Sequence, residues 1–119
     1  MPRLPMELVL DAISEISEIP CEDYCHDGSC VLIDVREPGE FQGGSIPGAV
    51  NMPRGVLEFM IHTHPVLGCE THPVKEKPDM RIVLFCQSGG RSALAALSLQ
   101  TMGFTDVVSL AGGYQGWSS

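Results

Sequence analysis

Residues 82–102 leave the chain few ways to fold. Ile82-Val83-Leu84-Phe85 is a β-branched and aromatic run, Cys86-Gln87-Ser88-Gly89-Gly90-Arg91 is a short break rich in glycine, and Ser92 to Met102 is built from good helix formers. A buried strand that passes into a helix through so short a break reads as half of a strand-helix-strand unit, whose second strand lies parallel to the first. Cys86 then stands at the carboxyl end of the strand. Gly89 and Gly90 can take the positive φ that turns successive backbone N–H groups toward one spot, and such a loop at a helix N-terminus holds anions. A thiolate is an anion, so the same donors, the helix dipole and the Arg91 guanidinium favour the charged, nucleophilic form of Cys86. A packing cysteine is the alternative, but it leaves two glycines unexplained, because they would only loosen a structural turn.

The rest of the chain alternates in the same manner. Residues 7–15 predict a short helix, residues 16–19 an edge strand, and Pro20 the first position of a short helix to about Cys25, closed by Asp27-Gly28. Val31 to Val35 is a buried strand ending in a charged cluster of Asp34, Arg36 and Glu37, at the end of a parallel sheet where ligands gather. A short helix over 38–42, a turn at Ile46-Pro47-Gly48, a brief strand over 49–51 and a helix over 54–61 follow. Residues 62–80 carry Pro65, Gly68, Pro73 and Pro78 and read as a connecting loop. After the helix over 92–102, Gly103 suits the left-handed cap, residues 107–110 form a last strand, and Gly112-Gly113 turns the chain toward Tyr114 and Trp117. The expected architecture is α/β, with five strands in a mainly parallel sheet and helices on both faces.

Composition removes several classes of function. Hydrophobic residues make up 44% and charged residues 18%, so the chain can build a core and is not a disordered tail. Its 119 residues suit one domain. The net charge of −8, with every acidic residue except Asp106 preceding Arg81, argues against a nucleic-acid partner. The acids Glu7, Asp11, Glu15, Glu18, Glu22, Asp23 and Asp27 form either a solvated surface or a face for a basic protein. No apolar run is long enough to span a membrane, and Pro2, Pro5 and Glu7 interrupt the start, so a cytoplasmic protein is expected. The five cysteines are therefore expected to be reduced. Cys21, Cys25, His26 and Cys30 lack the paired spacing of a zinc site. So do His62, His64, Cys69 and His72, which read as incidental residues of a surface loop.

Four segments together resemble the rhodanese family in its single-domain form, over about residues 16–117 of a single domain spanning 1–119. They are Asp34-Val35-Arg36-Glu37, the stretch from Phe41 through Ile46-Pro47-Gly48-Ala49-Val50-Asn51, the loop Cys86 to Ser92, and Gly112-Gly113-Tyr114-Gln115-Gly116-Trp117. The resemblance implies a rhodanese-like fold and a sulfurtransferase. Cys86 would take a sulfane sulfur from a small-molecule donor such as thiosulfate or a persulfide, and pass it to a thiol or cyanide acceptor. It further implies that Arg91 closes the loop and balances charge, that Gln87, Ser88, Gly89, Gly90 and Ser92 line the cradle, and that Asp34 and Arg36 lie beside it. For that last pair a purely structural ion pair is the alternative. No metal, cofactor or membrane is implied. A protein sulfur acceptor stays open.

Two departures from the family pattern stand out. Ser45 occupies the place where many relatives carry histidine, and Gln87 and Ser88 are neutral where efficient users of thiosulfate often carry basic residues. Three other readings compete. A cysteine-dependent phosphatase or arsenate reductase would need five residues between cysteine and arginine for a cradle that fits a phosphoryl group, whereas Cys86 and Arg91 enclose only Gln87, Ser88, Gly89 and Gly90. A non-catalytic binding module would not need both Cys86 and Arg91. A persulfide carrier serving a dedicated partner protein shares the chemistry of the leading reading.

Overall fold

The computed structural model describes residues 2–24 and 30–118. Five strands, β1 (Ser17–Ile19), β2 (Val31–Asp34), β3 (Val50–Asn51), β4 (Ile82–Phe85) and β5 (Val107–Leu110), form one sheet in the order β1-β5-β4-β2-β3. Every pairing is parallel. The expected five-stranded α/β architecture is thus present. The three inner strands are buried along their whole length, which explains why they read as unbroken apolar runs instead of alternating ones.

Two cores lie on opposite faces of this sheet. Val31, Ile33, Ile82, Leu84 and Val107 point to one face and meet Leu57, Ile61, Leu67 and Phe104 together with Ala95, Ala96 and Leu99 of α5 (Gly90–Met102). Leu32, Val83, Phe85, Val108 and Leu110 point to the other and meet Tyr24, Ile46, Tyr114 and Trp117. Because successive strand side chains alternate in direction, Cys86 continues the first face one step beyond the end of β4. The register sets Asp34 level with Phe85 and with Asn51, so the ends of β2, β3 and β4 converge on the start of the Cys86 loop.

Helix α5 starts at Gly90, two residues before the expected Ser92, because Gly89 takes φ +117° and lets the N-cap turn fall within the loop itself. At its other end the Gly103 N–H reaches the Leu99 and Gln100 carbonyls and the Phe104 N–H reaches Leu99, the expected glycine stop. The amino-terminal helix α1 (Pro5–Glu15) packs against α5, with Ala12 buried between them and Val9 beside Gly90. The short helix α2 (Pro38–Gln42) matches its expected bounds. The expected turn at Asp27-Gly28 and the helix end at Cys25 fall outside the described residues.

Several local expectations need correction. The helix expected over 54–61 is a 3-10 turn, Arg54–Val56, followed by a single turn α3 (Leu57–Met60). The stretch 62–80 is no plain loop, since it holds a 3-10 turn at Pro65–Leu67 and the turn α4 (Pro73–Glu76). Each begins at a repeated His-Pro-Val, in which Nδ1 of His64 or His72 accepts the N–H of Val66 or Val74 at 3.1 and 3.0 Å. The histidines therefore cap turns; His64 is buried, and that burial pushes its pKa down. Gly112-Gly113 reads as a turn in the sequence, and the residues from Gly113 onward form the helix α6 (Gly113–Ser118). Cys30 is disulfide-bonded, against the expectation of reduced cysteines throughout, while Cys21, Cys69 and Cys86 are free. Among the described residues no helix is long and apolar enough to cross a membrane.

Among the described glycines, Gly113 at the joint between α6 and the Cys86 loop has the least room for a side chain. Gly113 has φ +57°, and a Cβ built there would stand 2.4 Å from the Cys86 carbonyl oxygen and 2.8 Å from that of Gln87. Neither backbone oxygen can retreat without moving the loop. Gly113→Ala is expected to destabilise the protein by at least ~2 kcal/mol. Urea unfolding checks this, and stability within ~0.5 kcal/mol of wild type would show that the joint yields.

Candidate active site

The Cys86 side chain is almost wholly buried, with 1% of its surface exposed, and its sulfur collects donors from the loop around it. The N–H of Gly89 lies 3.1 Å from Sγ and that of Ser92 3.4 Å, while the Ser92 hydroxyl oxygen stands 3.5 Å away. These groups sit at the start of α5, so the unpaired N–H groups of the first helical turn and the positive end of the helix dipole meet at the sulfur. Gln87 is partly buried and Ser88 exposed. The cradle expected from sequence therefore receives direct contacts from Gly89 and Ser92, with Gly90 giving the helix its first residue.

The loop is fixed from behind by α6. The Tyr114 N–H donates to the Cys86 carbonyl at 2.8 Å and the Gln115 N–H to that of Gln87 at 3.0 Å. With their carbonyls held on this side, Cys86 and Gln87 keep the orientation that leaves the loop's N–H groups facing Sγ. The Gly112-Gly113 segment, seen in the sequence as a turn, is thus part of the site.

A second anchor comes from the end of β2. Asp34 and Arg36 are both buried and form a multidentate pair, Nε to Oδ1 and Oδ2 at 3.1 and 3.2 Å and Nη2 to Oδ2 at 2.8 Å. The hydrogen bonds it donates to Asp34 hold the Arg36 guanidinium above its usual pKa. Arg36 also reaches the Gln87 Oε1 at 3.3 Å and the Gly44 carbonyl at 2.7 Å, and lies 4.4 Å over the Tyr114 ring. Ser45 donates to Asp34 at 2.8 Å, and the Asn51 amide bridges the Asp34 and Arg36 carbonyls. The two readings of this pair meet here: it is a buried structural ion pair, and through Gln87 it also braces the cysteine loop.

Arg91 is placed otherwise than a sulfur ligand would be. Its guanidinium forms a two-pronged pair with Glu40 of α2, Nη1 to Oε1 at 2.8 Å and Nη2 to Oε2 at 3.1 Å. It ties the loop to α2, and the hydrogen bonds to Glu40 hold its guanidinium above its usual pKa. Glu40 also accepts the Glu37 N–H, and these contacts, Arg91 first, draw its carboxyl pKa down from 4.5 to about 2. Nothing near Glu40 in the sequence pointed to Arg91, since the two are joined only by the fold. Ser109, the other residue missed, did leave a signal: it is the one polar side chain within the buried run Val107 to Leu110. Its Oγ lies 2.7 Å from that of Ser92.

A carboxyl whose folded pKa is depressed stabilises the fold above its unfolded value and loses that contribution as pH falls through the folded one. For Glu40 the effect is complete above pH 4.5 and fades toward pH 2. Over a third of each partner is exposed, which keeps the pair's contribution to about 1 kcal/mol or less. Glu40→Gln is expected to unfold at slightly lower temperature than wild type at pH 7, with the two melting curves converging as pH approaches 2. A gap that stayed constant across this range would contradict the assignment.

A parallel sheet that delivers a cradled cysteine to the start of a helix defines the class of protein as α/β, with Cys86 at the carboxyl end of its central strand. The Rhodanese-like domain family matches residues 21–119, and the chain belongs to that family. It is 36% identical over 93 residues to the human thiosulfate:glutathione sulfurtransferase, covering 76% of this chain and 80% of that one. A Bacillus subtilis relative, the uncharacterised protein YqhL, is 37% identical over 86 residues, and the match covers 72% of this chain but only 59% of the relative. Among solved structures, a Rhodopseudomonas palustris protein of unknown function, described as a possible tyrosine phosphatase, superposes with a TM-score of 0.80 at 31% identity, covering 99% of this chain and 91% of that one.

Proposed function

We propose that the protein is a sulfurtransferase working through a persulfide on Cys86. The observation that carries this reading is the convergence of the Gly89 and Ser92 N–H groups and the Ser92 hydroxyl on one buried sulfur at a helix N-terminus. In the first half-reaction the Cys86 thiolate attacks the sulfane sulfur of the donor, and the donor's S–S bond breaks with its electron pair leaving on sulfite or on a thiolate. In the second, an acceptor thiolate or cyanide attacks the outer sulfur of the Cys86 persulfide and the Cys86 thiolate leaves. The phosphatase reading drawn from the Rhodopseudomonas neighbour is disfavoured by the four-residue spacing between Cys86 and Arg91 and by the Glu40 carboxylate that already occupies the arginine.

Intact-mass measurement after incubation with a sulfur donor tests the proposal. Wild type gains the mass of one sulfur and Cys86→Ser gains none, with the added atom mapping to Cys86 and not to Cys21 or Cys69. Sulfur on another cysteine, or none on wild type with any donor, removes the reading.

Charge around the site bears on the donor. Both arginines are held by carboxylates, Arg36 by Asp34 and Arg91 by Glu40, and Gln87 and Ser88 are neutral. A dianion such as thiosulfate meets no unpaired cation among these residues. A low-molecular-weight persulfide is therefore the better donor. Glu40→Gln, which frees Arg91, is expected to lower KM for thiosulfate by about fivefold, the equivalent of an ion pair worth ~1 kcal/mol, while KM for a persulfide of glutathione changes less. Steady-state kinetics with both donors decides it: equal changes for the two would show that Arg91 does not set donor charge.

A further inference from the structure

We infer that Ser109 is a positioning residue for Cys86, acting through the Ser92 hydroxyl; the inference rests on the reading of Cys86 as the reacting thiol. It follows from counting protons in a dry place. Ser92 and Ser109 are both fully buried, and their oxygens lie 2.7 Å apart. Ser92 Oγ is the hydrogen-bond partner of Ser109 Oγ among the described residues. If Ser92 donated to Ser109, the Ser109 proton would be left without an acceptor in the core, at a cost that the opposite arrangement avoids. Ser109 therefore donates and Ser92 accepts.

That choice releases the Ser92 proton. Two acceptors are in reach, the Gly89 carbonyl at 3.2 Å and Cys86 Sγ at 3.5 Å. The Gly89 carbonyl already receives the Ala93 N–H at 3.1 Å, so it stays satisfied when the hydroxyl turns away. With a neutral thiol, the hydroxyl points to Gly89 and the S–H can donate to Ser92 Oγ. With a thiolate, the hydroxyl turns to the sulfur and becomes a third donor beside the two N–H groups, in a hydrogen bond strengthened by the charge. The proton arriving from Ser109 polarises the Ser92 hydroxyl and makes it a better donor to sulfur. β5 thereby supplies the reacting sulfur with support from beneath the sheet's end, where register places Ser109 level with Leu84, two residues before Cys86.

The test reads the pH dependence of Cys86 alkylation by iodoacetamide, followed by peptide mass spectrometry so that Cys21 and Cys69 do not contribute. Charged and titratable groups on the surrounding elements, Asp34 and Arg36 at the end of β2, Glu40 on α2, Arg91 on α5 and Tyr114 on α6, are the same in every variant. Ser109→Ala is expected to shift the profile upward by about half a pH unit to one unit, the equivalent of one net hydrogen bond. In a Ser92→Ala background the same substitution is expected to add no further shift, because its effect passes through Ser92. Ser109→Thr and Ser109→Val, alike in shape and different in the hydroxyl, supply a second comparison that loss of packing cannot mimic: the valine profile shifts and the threonine profile stays with wild type. A Ser109→Ala profile that overlays wild type, additive shifts in the double variant, or equal shifts for threonine and valine would each overturn the inference. Alkylation involves no sulfur donor, so its outcome is independent of whether wild type takes up sulfur.

Discussion

At Cys86 the chain must leave the centre of a sheet and begin a helix within four residues, and the rest of the site depends on how that turn is made. A backbone that does this has to aim several N–H groups inward, because the first turn of the helix offers no carbonyls to receive them. Left empty in a buried place, those donors would be costly. The sulfur of Cys86 fills the position. The strain of the turn is met by Gly89 on one side and by Gly113 on the other, where the carbonyls of Cys86 and Gln87 are taken up by α6. The carboxyl-terminal motif Gly112 to Trp117 is thus the outer half of the cysteine loop, although most of α5 and the whole of β5 separate the two in the chain.

The two arginines show how differently the same side chain is used. Arg36 is buried with five side-chain hydrogen bonds to Asp34, Gln87 and Gly44 and a stacking contact on the Tyr114 ring, so it ties β2, α6 and the cysteine loop into one body. Removing one partner of such a pair strands a buried charge, whereas a half-exposed pair such as Arg91 with Glu40 contributes less. Arg36 belongs to the frame. Arg91 is the adjustable charge, held by a carboxylate that a single substitution can neutralise.

Much of this was legible because the strongest signals were local. The apolar runs 31–35, 82–85 and 107–110 could only be buried strands, and a glycine pair between strand and helix could only be a turn with inward donors. What escaped was fixed by contacts distant in sequence or by competition between neighbours. The repeated His-Pro-Val at 64–66 and 72–74 caps short turns, but isolated histidines beside prolines carry no periodic pattern. Helix α6 is rich in glycine and poor in helix formers, and it exists because its first N–H groups are claimed by Cys86 and Gln87. The partnership of Arg91 with Glu40 spans two elements that only the fold brings together. Ser109 is the instructive case: a lone hydroxyl in a buried strand requires a partner, and the chain offered the requirement without naming Ser92.

The charge arithmetic of the proposed reaction agrees with the way these groups are arranged. Moving a sulfane sulfur onto a thiolate converts one singly charged sulfur terminus into another, so the cradle carries one negative charge before the step and one after it. Fixed N–H donors and a hydroxyl that can turn are sufficient for that, and no cation has to be brought in or released. A phosphoryl group would place its charge on three equatorial oxygens at once and would call on the loop arginine to meet them. Here the arginine is already bound to Glu40, and the donors converge on a single atom. A cradle that is neutral outside the sulfur selects for chemistry in which charge is conserved at that sulfur, and this ties the short loop, the paired arginines and the buried hydroxyls to one kind of transfer.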